Sequence, residues 1–130
     1  MKFYIASRFG LKDKVKEMCD ILQEKGHETT TDFWLSHKSI KPYTDNLEFA
    51  KQYSVEDING VLESDVFVII GDEAGTGMYI ELGAAIAQQI KTGKPKIYAI
   101  GEHTTRALFY FHPSVIRKNN FEEVLEDLGI

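Results

Sequence analysis

Asp65-Val66-Phe67-Val68-Ile69-Ile70-Gly71-Asp72-Glu73-Ala74-Gly75-Thr76-Gly77 decides how this chain folds. Val66 to Ile70 are β-branched or aromatic without a break. A strand with one wet face alternates apolar and polar residues; one covered on both faces does not. The run is too short to cross a bilayer. Gly71 ends it, and Gly75 and Gly77 punctuate the loop that follows. Met78 to Ile90 then reads as a helix rich in small residues, stopped by Gly93 and Pro95. A buried strand, a glycine loop and a helix in succession form the unit from which parallel sheets are built.

The same alternation extends in both directions. Phe3-Tyr4-Ile5-Ala6 reads as a short buried strand. Leu11, Val15, Met18, Ile21 and Leu22 recur at helical spacing, and Gly26 closes that helix. Glu28 to Phe33, rich in threonine, is a second strand. Leu35 to Asp45 is a long irregular stretch, of the kind that is functional or mobile in compact domains. A helix resumes with Leu47, Ala50, Tyr53 or Ser54, Ile58, Val61 and Leu62. Beyond Pro95, Lys96 to Ile100 is a strand and Thr105 to Phe111 a short helix. Val115-Ile116 is a last strand, and Phe121 to Leu128 a closing helix capped by Asn119 or Asn120. Alternating strands and helices imply right-handed crossovers. The expected fold is a flavodoxin-like three-layer α/β sandwich over residues 1–130 as a single domain. Its five-stranded parallel sheet runs in the order 2-1-3-4-5; a TIR-like variant has nearly the same sheet.

Composition narrows the function. The chain has 130 residues, 43% hydrophobic and 27% charged, so it is globular rather than disordered or low-complexity. Its net charge of -5, without a basic block, argues against duplex nucleic acid or an anionic membrane as partner. It leaves room for a local basic pocket holding one phosphate. The single cysteine, Cys19, excludes an internal disulfide framework. His27, His37, His103 and His112 lack metal-ligand spacing, so neither a metal nor another cofactor is expected. The first residues carry too short an apolar run for a signal peptide. A soluble, cytoplasmic protein is the expectation.

Ligands of open parallel sheets bind beyond the carboxyl ends of the strands. Three segments lie there: Ala6-Ser7-Arg8-Phe9-Gly10, Gly71 to Gly77, and Gly101-Glu102-His103. The first two run into helix N-termini, which suit anions. Neither has the Walker or dinucleotide-binding pattern. Glu81 follows the glycine loop on its helix. Spacing alone leaves it open as a solvated surface glutamate or a chemical group, and Asp57, ahead of Asn59-Gly60, is equally open. Glycosyl chemistry needs two carboxylates of different character. Phe33, Trp34 and Tyr43 flank the long loop, either stacking on a base or packing.

Lys2-Phe3-Tyr4-Ile5-Ala6, Asp57-Ile58-Asn59-Gly60-Val61 through Ser64-Asp65, Gly75-Thr76-Gly77-Met78 and Glu81-Leu82-Gly83-Ala84-Ala85 together resemble the nucleoside 2-deoxyribosyltransferase family. They equally resemble the related deoxynucleoside 5′-monophosphate N-glycosidases. The resemblance covers residues 1 to about 100 in order. It implies that Glu81 attacks the anomeric carbon and forms a glycosyl-enzyme, that Tyr4 orients Glu81, and that Asp57 assists departure of the base. It also implies an acidic residue by the glycine loop near the base or proton path, for which Asp72 or Glu73 stands in. Gly75, Thr76 and Gly77 would line the substrate.

Two departures bear on the substrate. Ser7-Arg8 stands where family members often have Gly-Pro, and an arginine beside a hydroxyl and a helix N-terminus suits a 5′-phosphate. The transferases complete their site with an asparagine of a neighbouring subunit after the fourth strand. Here that place reads Arg106-Ala107-Leu108-Phe109, with Arg106 either a ligand contact or a surface arginine. The expectation is an enzyme cleaving or transferring the N-glycosidic bond of a nucleoside 5′-monophosphate or deoxynucleoside, working as a homodimer or larger assembly with a shared site. The competing readings are a non-catalytic nucleotide sensor and a TIR-like glycohydrolase of NAD or a ribonucleotide.

Overall fold

The strand at the centre is Val66–Ile70, with every residue buried. The computed structural model describes residues 1–31 and 39–130. Expectations about Phe33, Trp34 and the start of the long loop lie outside the described residues. The strands are β1 (Lys2–Ala6), β2 (Glu28–Thr29), β3 (Val66–Ile70), β4 (Lys96–Ile100) and β5 (Val115–Lys118). The helices are α1 (Lys12–Glu24), α2 (Leu47–Glu63), α3 (Gly77–Thr92) and α4 (Phe121–Leu128). One five-stranded sheet runs β2-β1-β3-β4-β5, the expected order. Every neighbouring pair is parallel, with Tyr4 beside Phe67, Phe67 beside Ile97 and Ile97 beside Val115.

Because side chains alternate across a strand, the sheet carries two cores. Phe3, Ile5, Val68, Ile70, Tyr98 and Ile100 face one side, where α1 supplies Val15, Met18, Cys19 and Leu22 and α4 adds Phe121, Val124 and Leu125. Tyr4, Ala6, Phe67, Ile69, Ile97 and Ala99 face the other, against Val61 of α2 and Met78, Leu82, Ala85 and Ile86 of α3. Register therefore sends the Tyr4 ring toward α2 and α3, stacked on Phe67 at 5.8 Å between centroids. In α1 the buried stripe includes Cys19, while Ile21 is exposed.

Local differences from expectation have physical causes. Among the described residues the second strand is Glu28–Thr29; past it the Ile5 amide donates to a side chain, Thr31 Oγ1, at 2.7 Å. The short helix expected over Thr105 to Phe111 shrinks to a 3-10 turn at Leu108–Phe111. Ala107 and His112 on either side of it are extended, the latter forced by Pro113. The closing helix is capped as expected, Asn120 Oδ1 accepting from the Glu123 amide at 3.0 Å. Among the described residues no helix is long and apolar enough to cross a membrane.

Candidate active site

Chain reversals after β1 and β3 bring two loops together at the carboxyl edge. Ser7 and Arg8 leave β1 ahead of a 3-10 turn at Phe9–Leu11. Gly71 to Thr76 leave β3 and enter α3 at Gly77. Gly75 takes φ +97°, and a Cβ there would lie 3.2 Å from Arg8 Cβ, so glycine lets the loops touch. Arg8 Nε donates to Asp72 Oδ2 at 2.8 Å, while the Ala74 amide donates to Asp72 Oδ1 at 2.9 Å. The Ala74 amide first, and Arg8 second, hold the Asp72 carboxyl below its ordinary range.

Glu81 lies one turn into α3, facing β1. The Tyr4 hydroxyl hydrogen-bonds its carboxylate. Burial pushes Glu81 up to about 8; the nearby charge of Asp57 pushes the same way, and Tyr4 pulls back. Asp57 comes from α2, whose approach depends on Gly60. A Cβ at position 60 would stand 2.7 Å from the Thr30 carbonyl oxygen and 2.9 Å from the Tyr4 ring. The Asn59-Gly60 pair thus marks a close helix-to-strand contact. Its signal in the sequence is a glycine within an otherwise helical pattern.

Around Glu81 and Asp57 the surface opens into a cleft with two lobes. One, of about 530 Å³, is chiefly apolar, with Ile40, Tyr53, Ile58 and Ile80 in its wall. The other, of about 410 Å³, has Ser7, Arg8, Gly10, Gly75 and Thr76 in its wall. Phe9, Lys41, Tyr43, Asp57, Gly77 and Glu81 line both lobes. Tyr4, Asp57 and Glu81 therefore meet, with Ser7, Arg8 and Gly75 to Gly77 beside them. Asp72 and Glu73 lie outside the walls of both lobes: Asp72 holds Arg8, and Glu73 is exposed, its Oε1 4.0 Å from His103 Nε2. Arg106 also lies off the walls, its Nη1 donating to the Asp72 carbonyl oxygen at 2.7 Å. Lys41, Phe9 and Tyr53 were not singled out from sequence; an isolated lysine or aromatic residue carries no signal of what it faces.

No cluster of three or more metal-binding side chains occurs among the described residues. Cys19 is buried, and burial pushes its thiol up to about 12, which makes it a poor nucleophile. His112 accepts from the Ser114 amide at 3.0 Å, a local turn contact.

Sheet order, helix placement and an edge cleft define an α/β protein of flavodoxin-like fold. Among solved structures, that of Clostridium botulinum CMP N-glycosidase, BcmB, shares this fold with a TM-score of 0.60 and 21% sequence identity, covering 99% of this chain and 98% of that one. The likeness is one of fold, and it covers nearly the whole of both chains. No family model and no curated protein sequence matches the chain.

Proposed function

We propose that this chain cleaves the N-glycosidic bond of a nucleoside 5′-monophosphate or deoxynucleoside, with Glu81 as nucleophile. The observation that carries the reading is the meeting of Tyr4, Glu81 and Asp57 where an apolar lobe joins a lobe edged by Arg8. The apolar lobe suits a base and the polar lobe a 5′-phosphate, which leaves the anomeric carbon between the two carboxylates. Likeness of fold to a CMP N-glycosidase points the same way.

The chemistry follows from the geometry. A Glu81 carboxylate oxygen bonds to the anomeric carbon as the carbon–nitrogen bond breaks, and its electron pair leaves with the base. Positive charge on the ring carbon attracts that carboxylate. The base takes up a proton from water, with Asp57 in place to hydrogen-bond it as it leaves. Water then displaces Glu81 from the ester and releases the sugar phosphate; a second base in place of water makes the reaction a transfer. The Tyr4 hydroxyl fixes the orientation of Glu81 and takes up part of its charge. Burial favours the protonated form of Glu81, so its proton passes to water before the carboxylate attacks.

The assembly belongs to the same proposal. Leu108, Phe109 and Phe111 are exposed at 79%, 61% and 53%, beside Arg106. A second copy of the chain covering them would bring this segment to a shared site, and light scattering at working concentration would find a dimer or larger. A cytoplasmic setting fits the lone buried thiol.

The test is base release from a panel of ribo- and deoxyribonucleoside monophosphates and their nucleosides, with and without an added acceptor base. Wild type should release base from a monophosphate, and Glu81→Ala should lose at least roughly a hundredfold of that activity. Tight binding without base release would favour a sensor instead.

A further inference from the structure

We infer that Arg106 is a positioning residue for the phosphate end of the cleft, acting through Asp72 on Arg8. The inference rests on the reading of Arg8 as the phosphate-binding arginine. Three contacts form a chain. Arg106 Nη1 donates to the main-chain oxygen of Asp72 at 2.7 Å. The carboxylate of that same residue accepts from Arg8 Nε at 2.8 Å and from the Ala74 amide at 2.9 Å. Arg8, with 40% of its side chain exposed, is the last link and the one that borders the cleft.

The geometry explains why this matters. Binding Nε fixes the plane of the Arg8 guanidinium and leaves its two Nη groups for a ligand, the fork that grips two phosphate oxygens at once. One of them, Nη1, lies over Gly10, where a Cβ would collide with it. The orientation of Asp72 therefore sets the aim of Arg8. The β3–α3 loop is held at its start by the Gly71 amide, which donates to the Ile100 carbonyl oxygen at 2.9 Å. One residue later Arg106, reaching across from the loop after β4, donates to the Asp72 carbonyl oxygen. Without it the Asp72 peptide gains freedom to rotate, and the carboxylate that aims Arg8 rotates with it. Arg106 lines neither lobe within the chain, and its hydrogen bond toward the cleft runs through Asp72 to Arg8.

Isothermal titration calorimetry with ribose 5-phosphate and 2-deoxyribose 5-phosphate tests this, using wild type, Arg8→Ala, Arg106→Ala, Arg106→Lys and the double alanine variant. Arg106→Ala should weaken the tighter-binding sugar phosphate about fivefold to tenfold, the scale of one hydrogen bond. It should cause no further loss in the Arg8→Ala background, since neighbours acting as one unit are not additive. Arg106→Lys, which keeps a donor, should recover to within about twofold of wild type. Undiminished affinity in Arg106→Ala, or an equal loss with and without Arg8, overturns the inference while leaving the phosphate reading intact. If Arg8→Ala changes neither affinity, or wild type binds neither sugar phosphate, the phosphate reading falls and this inference with it.

Discussion

Replacing Glu81 by glutamine should stabilise the protein at alkaline pH and leave it unchanged in acid. Glutamine is isosteric, and its Oε1 still accepts from the Tyr4 hydroxyl, so the substitution removes charge and little else. In the fold Glu81 titrates near 8 against an ordinary 4.5. The folded-state value is raised, so the stability contribution is complete below about 4.5 and is lost as pH rises toward 8. Across that window the unfolded chain ionises freely while the folded chain must hold a proton or bury a charge. At about 1.4 kcal/mol for each pH unit, the interval from 4.5 to 8 sets a ceiling of about 5 kcal/mol. Glu81 is half-buried and lines both lobes of an open cleft, so screening cuts the gain for glutamine above pH 8 to about 1–3 kcal/mol. For a domain of this size that is roughly 3–12 °C in Tm. Thermal unfolding of both proteins from pH 4.5 to 9 gives the answer. A glutamine variant no more stable than wild type at pH 8.5, or a difference that stays constant with pH, would show that the Glu81 carboxylate is not desolvated by the fold.

Arg8→Ala should weaken a nucleoside monophosphate by about 1.5–3 kcal/mol, roughly tenfold to a hundredfold, and spare the free nucleoside; equal losses for both in steady-state kinetics would make Arg8 structural. Tyr4→Phe removes a hydrogen bond that lowers the Glu81 pKa, so the rising limb of the pH–rate profile should move to higher pH; an unmoved limb would mean that the hydroxyl does not act on Glu81. Gly60→Ala places a methyl against the Thr30 carbonyl and the Tyr4 ring and should cost roughly 1–3 kcal/mol of stability together with activity; unchanged Tm and turnover would remove the role given to that close approach.

The layout of this protein is local information. Val66 to Ile70 reads as a doubly covered strand because each position must face apolar surroundings, and composition alone expresses that requirement. Lys96–Ile100 and Phe121–Leu128 form where pattern and caps place them, for the same reason. Ends were legible less often. The threonine hydroxyl that follows β2 takes the Ile5 amide in place of a backbone carbonyl, and that is settled by where Ile5 lies in space. The site divides in the same way. Strand ends and glycine loops announce an edge, and motif resemblance picks out Tyr4, Asp57 and Glu81. Only tertiary structure shows them meeting, since they come from β1, α2 and α3: Tyr4 hydrogen-bonds Glu81, Asp57 lies close enough to act on its charge, and Gly60 lets α2 approach the Tyr4 ring. It also decides that Asp72 and Arg106 stand behind Arg8 rather than in the cleft, because the aim of a long polar side chain depends on partners far away in the chain.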